Sequence, residues 1–130
     1  MSLFKYLVTF CSIMEFTIIE TSVHNRGKLY TLEIREKRIL ILFLHHALER
    51  MTKWCLSEEM VIETLLFPEE VITGHRGRYI AHRRYNDNHL IRAVYEYDEE
   101  IPVIVTVYFP YSERYFKGGK IFEDKILKGS

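Results

Sequence analysis

At 130 residues and 15.6 kDa the chain is long enough for one domain with a real core and too short for two. With 48% apolar and 28% charged residues it is not a disordered type. Lys plus Arg number 18 and Asp plus Glu number 18, which excludes a uniformly basic nucleic-acid binder and leaves only a local basic patch.

The opening run Leu3, Phe4, Tyr6, Leu7, Val8, Phe10, Cys11 and Ile13 is apolar, but Lys5 interrupts it. It is shorter than the roughly 20 residues that span a bilayer, and no small-residue cleavage site follows. Residues 1–13 are therefore expected as an added strand or an upstream extension, with no membrane partner. Residues 14–37 read as a β-hairpin extension: a strand from Phe16 to Thr21, a turn over His24-Asn25-Arg26-Gly27, and a strand from Lys28 to Ile34. Residues 38–110 form the expected core. Its first run, Arg38 to Leu44, is either a buried strand or the start of a long helix, because periodicity does not separate the two over so few residues.

From His45 through Trp54, Ala47, Leu48, Met51 and Trp54 recur at helical spacing. Ser57 is a suitable N-cap for a second helix, Glu58 and Glu59 complement its positive start, and Pro68 ends it. Runs at Glu70–Thr73, Arg78–Tyr85, His89–Tyr97 and Ile101–Phe109, separated by turn residues, then read as an antiparallel meander. Alternation places Ile91, Ala93 and Tyr95, with Val103, Val105, Val107 and Phe109, beneath the helices. Arg92, Thr106 and Tyr108 are left on an open face. Residues 111–130 mix aromatics with charges and read as an arm that orders on a partner.

Cys11 and Cys55 are too few for a disulfide framework or a thiolate zinc site, so a reducing cytoplasm is expected, and Cys55 is read as a core residue. The adjacent His45 and His46 do not converge from one helix, and no zincin, dinucleotide or phosphate-loop spacing occurs. Neither metal nor cofactor is expected.

The pieces His46-Ala47-Leu48-Glu49-Arg50-Met51, Gly74-His75-Arg76-Gly77-Arg78-Tyr79 and Val103-Ile104-Val105-Thr106-Val107-Tyr108 resemble a toxin-like domain family similar to the RelE/ParE-type toxins, which are metal-independent endoribonucleases. The resemblance implies an α+β fold, with a helical hairpin packed on one face of an antiparallel sheet of about four to six strands. It implies cleavage of RNA, free as mRNA or on the ribosome, by attack of the 2′-OH, and an acidic antitoxin-like protein as partner. Toxins of that kind tend to be basic, whereas this chain is neutral.

Candidate residues follow from the chemistry. His46 and Arg50, four apart on a helix, project from one face and suit a phosphate. The segment from His75 to Arg92 carries Arg76, Arg78, Arg83, Arg84 and Arg92 interleaved with Tyr79 and Tyr85; guanidinium forks suit phosphate, and tyrosine rings suit unpaired bases. His82 and Arg84 are read on the open face beside Arg92, and Tyr108 as a proton donor or stacking ring. The expected catalytic set is thus His46, Arg50, His82, Arg84, Arg92 and Tyr108. Arg76, Arg78, Arg83, Tyr85, Arg114 and Tyr115 are the expected substrate contacts. The alternative is a module that does not cleave, in which the arginines bind RNA or an acidic protein or pair with neighbouring acids, or a homodimer built through the N-terminal hairpin.

Overall fold

The computed structural model describes residues 15–111 and 126. Strands β1 (Thr17–His24), β2 (Gly27–Ile34) and β3 (Lys37–Leu44) form an antiparallel meander. Two nine-residue helices follow, α1 (His45–Lys53) and α2 (Glu58–Leu66). Strands β4 (Glu70–Thr73), β5 (Tyr79–Arg84), β6 (Leu90–Asp98) and β7 (Ile101–Tyr108) make a second antiparallel meander. β7 lies parallel to β3, pairing Leu42 with Val103 and Phe43 with Ile104, so all seven described strands join one mixed sheet in the order β1-β2-β3-β7-β6-β5-β4.

This overturns the expected RelE-like arrangement of a helical hairpin on an antiparallel sheet of four to six strands. The N-terminal hairpin β1–β2 is continuous with the same sheet. Its strand partner β3 is the Arg38–Leu44 run, and the β3–β7 pairing makes the sheet wider and mixed. Parallel neighbours require a crossover connection, and here α1 to β6 supply it; nothing local in the sequence of β3 announces so distant a partner.

The main core cluster lies on one face of the sheet, while Leu42, Leu90, Val94 and Val103 are buried on the other. Tyr30, Leu32 and Ile34 of β2, Ile39, Ile41 and Phe43 of β3, and Ile91, Ala93 and Tyr95 of β6 meet Ala47 and Met51 of α1 and Val61, Ile62, Leu65 and Leu66 of α2. Helix α1 packs on β7 and α2 on β5 and β6. Ser57 caps α2 by accepting the Met60 N–H at 3.2 Å, while Glu58 and Glu59 occupy its first turn. The interior face of β7 departs from simple alternation. Val94 pairs with Thr106 but Tyr95 pairs with Ile104, so Val105 is an extra residue on β7. This β-bulge puts Ile104 and Val107 together in the core and turns Val103 away from it, correcting the expectation that Val103, Val105 and Val107 share a face. Cys55, read as core, is exposed at the end of α1 with φ 55°; Cys11 lies outside the described residues. Among the described residues no helix is long and apolar enough to cross a membrane.

The β2–β3 turn carries no turn-forming residue. Arg35 and Glu36 both sit at positive φ, 51° and 66°, between the paired Ile34 and Lys37, a geometry that normally selects Asn-Gly because a Cβ is crowded there. The Arg35 guanidinium lies 5.8 Å from the centre of the Phe67 ring, which gives that position a role. Glu36→Gly should therefore raise stability by about 1 kcal/mol, read as a higher urea midpoint at unchanged m-value.

Candidate functional site

Register across the second meander creates a row that sequence spacing does not reveal. Glu70 on β4 lies opposite His82 on β5, His82 opposite Arg92 on β6, and Arg92 opposite Tyr108 on β7. Directly paired residues project to the same side, so all four side chains stand on the face turned away from α1 and α2. The row is graded in exposure: Glu70 and His82 are 0% exposed, Arg92 is half-buried and Tyr108 is 45% exposed. The face is therefore closed over Glu70 and His82 and accessible at Tyr108, not open throughout as alternation alone implies.

His82 is the unusual member. Its Nδ1 is 3.8 Å from a Glu70 carboxylate oxygen, and among the described residues neither ring nitrogen has a hydrogen-bond partner. Burial, and secondarily the charge of Arg92, lowers its pKa to about 4, so the ring is neutral near physiological pH. Leaving a buried polar group without a hydrogen bond costs about 1–3 kcal/mol. A neutral imidazole beside a guanidinium is also a proton acceptor held next to an anion-binding group.

His82, Arg92 and Tyr108 thus come together, and Arg84 lies two pairs further along β5, opposite Leu90 on the same face. His46 and Arg50 do not join them. Both lie on α1, where Arg50 Nε donates to His46 Nε2 at 3.5 Å, and α1 covers the other face of the sheet. Glu70 was missed by sequence reasoning, because a glutamate two residues after Pro68 resembles a solvated strand start. Only its pairing with His82 makes it part of the row.

Two of the arginines read as substrate contacts, Arg78 and Arg83, and Arg84 of the expected catalytic set lie against acids. Arg78 Nε lies 2.9 Å from Glu96, and Arg83 lies 3.2 Å from Glu63 while donating to the Phe67 carbonyl at 2.6 Å. Glu69 accepts the Arg84 backbone N–H at 2.7 Å, with the Arg84 side chain 3.9 Å away. Arg76 is exposed in the three-residue turn His75–Gly77, at φ 59°. The basic segment and the acids of α2 and β6 accordingly form mixed pairs. Tyr85 belongs to a group of rings beyond the β5–β6 turn. Arg114 and Tyr115 lie outside the described residues. Among the described residues no group of three His, Cys, Asp or Glu side chains is placed to hold a metal ion.

A family model described as a domain of unknown function (DUF4258) matches residues 43–109, from the end of β3 through β7, and so contains the whole row. That span is more than half of the chain, which belongs to this family. No curated protein and no solved structure matches the chain.

Proposed function

We propose that this member of the DUF4258 family is a toxin-like RNA-binding protein of the cytoplasm that holds a backbone phosphate between Arg92 and Tyr108. The observation that carries this reading is the direct pairing of Arg92 with the exposed Tyr108 on adjacent strands: a guanidinium fork for phosphate beside a ring and hydroxyl for the neighbouring nucleotide. The reading rests on the chemistry of this row and not on a RelE-type fold.

Metal-independent cleavage is the second reading, favoured by the neutral His82 directly across from Arg92. There the 2′-OH would attack the adjacent phosphorus, Arg92 would hold the charge gathering on the phosphoryl oxygens, and Tyr108 would protonate the 5′ leaving oxygen. His82, wholly buried, would receive the 2′-OH proton only after the Arg92 side chain swings aside.

The test is incubation of the purified protein with mixed single-stranded RNA in EDTA, read by filter binding and by the chemistry of new ends. Salt-dependent binding is expected, with a drop of about tenfold or more in Arg92→Ala. Cyclic phosphate ends, reduced about hundredfold in Arg92→Ala, support cleavage. Tyr108→Phe, a surface change that leaves packing intact, separates loss of the hydroxyl from loss of fold. Binding with intact RNA selects the module that does not cleave, and no binding refutes both readings.

A further inference from the structure

Three of the four strands that carry the row, β5, β6 and β7, lead at one end into a second feature on the opposite face. The Tyr85 N–H donates to the His89 carbonyl at 2.9 Å, the Leu90 N–H donates to the Pro110 carbonyl at 3.0 Å, and His89 bridges to Tyr111. Tyr85, His89, Phe109 and Tyr111 consequently gather at the end of the sheet, on the face that α1 and α2 cover further in. His89 lies on Phe109 with ring centres 4.7 Å apart and planes within 8°. Tyr111 lies 4.8 Å from His89, and Tyr85 stands edge-on to Phe109 at 5.1 Å. Tyr85 is 47% and Tyr111 63% exposed, so the assembled rings are not a core that merely reaches the surface.

The turn that holds these rings also fixes the histidine. Asn86 Oδ1 accepts from the Asn88 and His89 backbone N–H groups, both at 2.8 Å, which identifies it as the oxygen. The same oxygen lies 3.3 Å from His89 Nδ1. Since an amide oxygen only accepts, Nδ1 carries the proton and Nε2 of the neutral ring is an acceptor. The ledge thus offers flat rings already in place, one ring-nitrogen acceptor fixed by the turn, and the hydroxyls of Tyr85 and Tyr111.

We infer that the ledge formed by Tyr85, His89, Phe109 and Tyr111 is a stacking site for an unpaired nucleobase, with His89 Nε2 accepting from an N–H on the base edge. The inference rests on RNA being the ligand and adds to the Arg92–Tyr108 phosphate contact a base-binding site around the rim of the same strands. Base stacking on rings tolerates any sequence, so it adds affinity for single strands and not for duplexes.

The experiment uses the full chain and a short single-stranded RNA containing 2-aminopurine, whose fluorescence falls when it stacks. Wild-type protein should bind and quench it. Tyr111→Ala should weaken binding roughly 5- to 150-fold and abolish quenching, and Tyr111→Trp should retain both. If Tyr111→Ala and Tyr85→Ala bind and quench like wild type while Arg92→Ala does not bind, the ledge inference falls and the RNA-binding reading stands. If wild type binds no RNA, both fall. A wild-type dimer that Tyr111→Ala converts to monomer would assign the ledge to self-association and overturn the inference.

Discussion

Replacing Gly27 with alanine destabilises the domain by about 3–5 kcal/mol. Gly27 opens β2 and pairs with His24 of β1 on one side and Leu44 of β3 on the other. A Cβ there would overlap the Phe43 carbonyl oxygen and stand 2.9 Å from the Leu44 Cα. Both obstacles are backbone, so relief requires β3 to move away from β2, and β3 is the strand that joins the two meanders. Gly77 is the control. Nothing lies within 4 Å of its would-be Cβ, although its φ of 73° disfavours a side chain, and Gly77→Ala costs only about 1 kcal/mol. Urea unfolding of the two variants distinguishes the cases; equal midpoints would show that β3 can yield.

Acid weakens the fold by about 3 kcal/mol between pH 6.5 and pH 4 through His82 alone. Its folded pKa, about 4, lies below the ordinary value of 6.5, so the unfolded chain takes up a proton in this range that the folded protein refuses. The associated stability is fully present above pH 6.5 and is lost as pH falls through the folded value. Glu58 acts in a lower window. Burial opposes its ionisation, but Lys28, which donates to the carboxylate at 2.9 Å, and the nearby Tyr30 hydroxyl hold its pKa below 4.5. Its contribution is therefore present above that value and is lost only in stronger acid. Unfolding free energies measured from pH 7 to pH 4 for wild type and His82→Phe should diverge in slope, the variant being flatter. Parallel curves would assign the acid sensitivity to carboxylates and open the pocket around His82 to a different account.

The elements themselves were legible because their causes are local. Ser57, Glu58 and Glu59 mark the start of α2 by capping and charge, and Asn86-Asp87-Asn88 marks a turn because Asn86 bonds the backbone that follows it. The β2–β3 turn was not, since Arg35 and Glu36 carry no turn signature and are held at positive φ by the strands on either side. The inward set Ile91, Ala93 and Tyr95 was readable from period-two alternation, but the bulge at Val105 broke the same rule on the next strand.

The site divides in the same way. His82, Arg84, Arg92 and Tyr108 could be named from residue type and face, and His46 and Arg50 from helical spacing. That the first group stands on the sheet face away from α1, that Glu70 completes its row, and that Glu63, Glu69 and Glu96 hold the neighbouring arginines are facts of register and packing. The sequence by itself determined most of the helices, strands and turns, because those depend on neighbours within a few residues, but it left Arg38–Leu44 between strand and helix. Tertiary structure alone decided the parallel β3–β7 junction, the burial of Glu70 and His82, and which charges meet. Each of those is a contact between residues far apart in the chain, and its energy exists only once the sheet has closed.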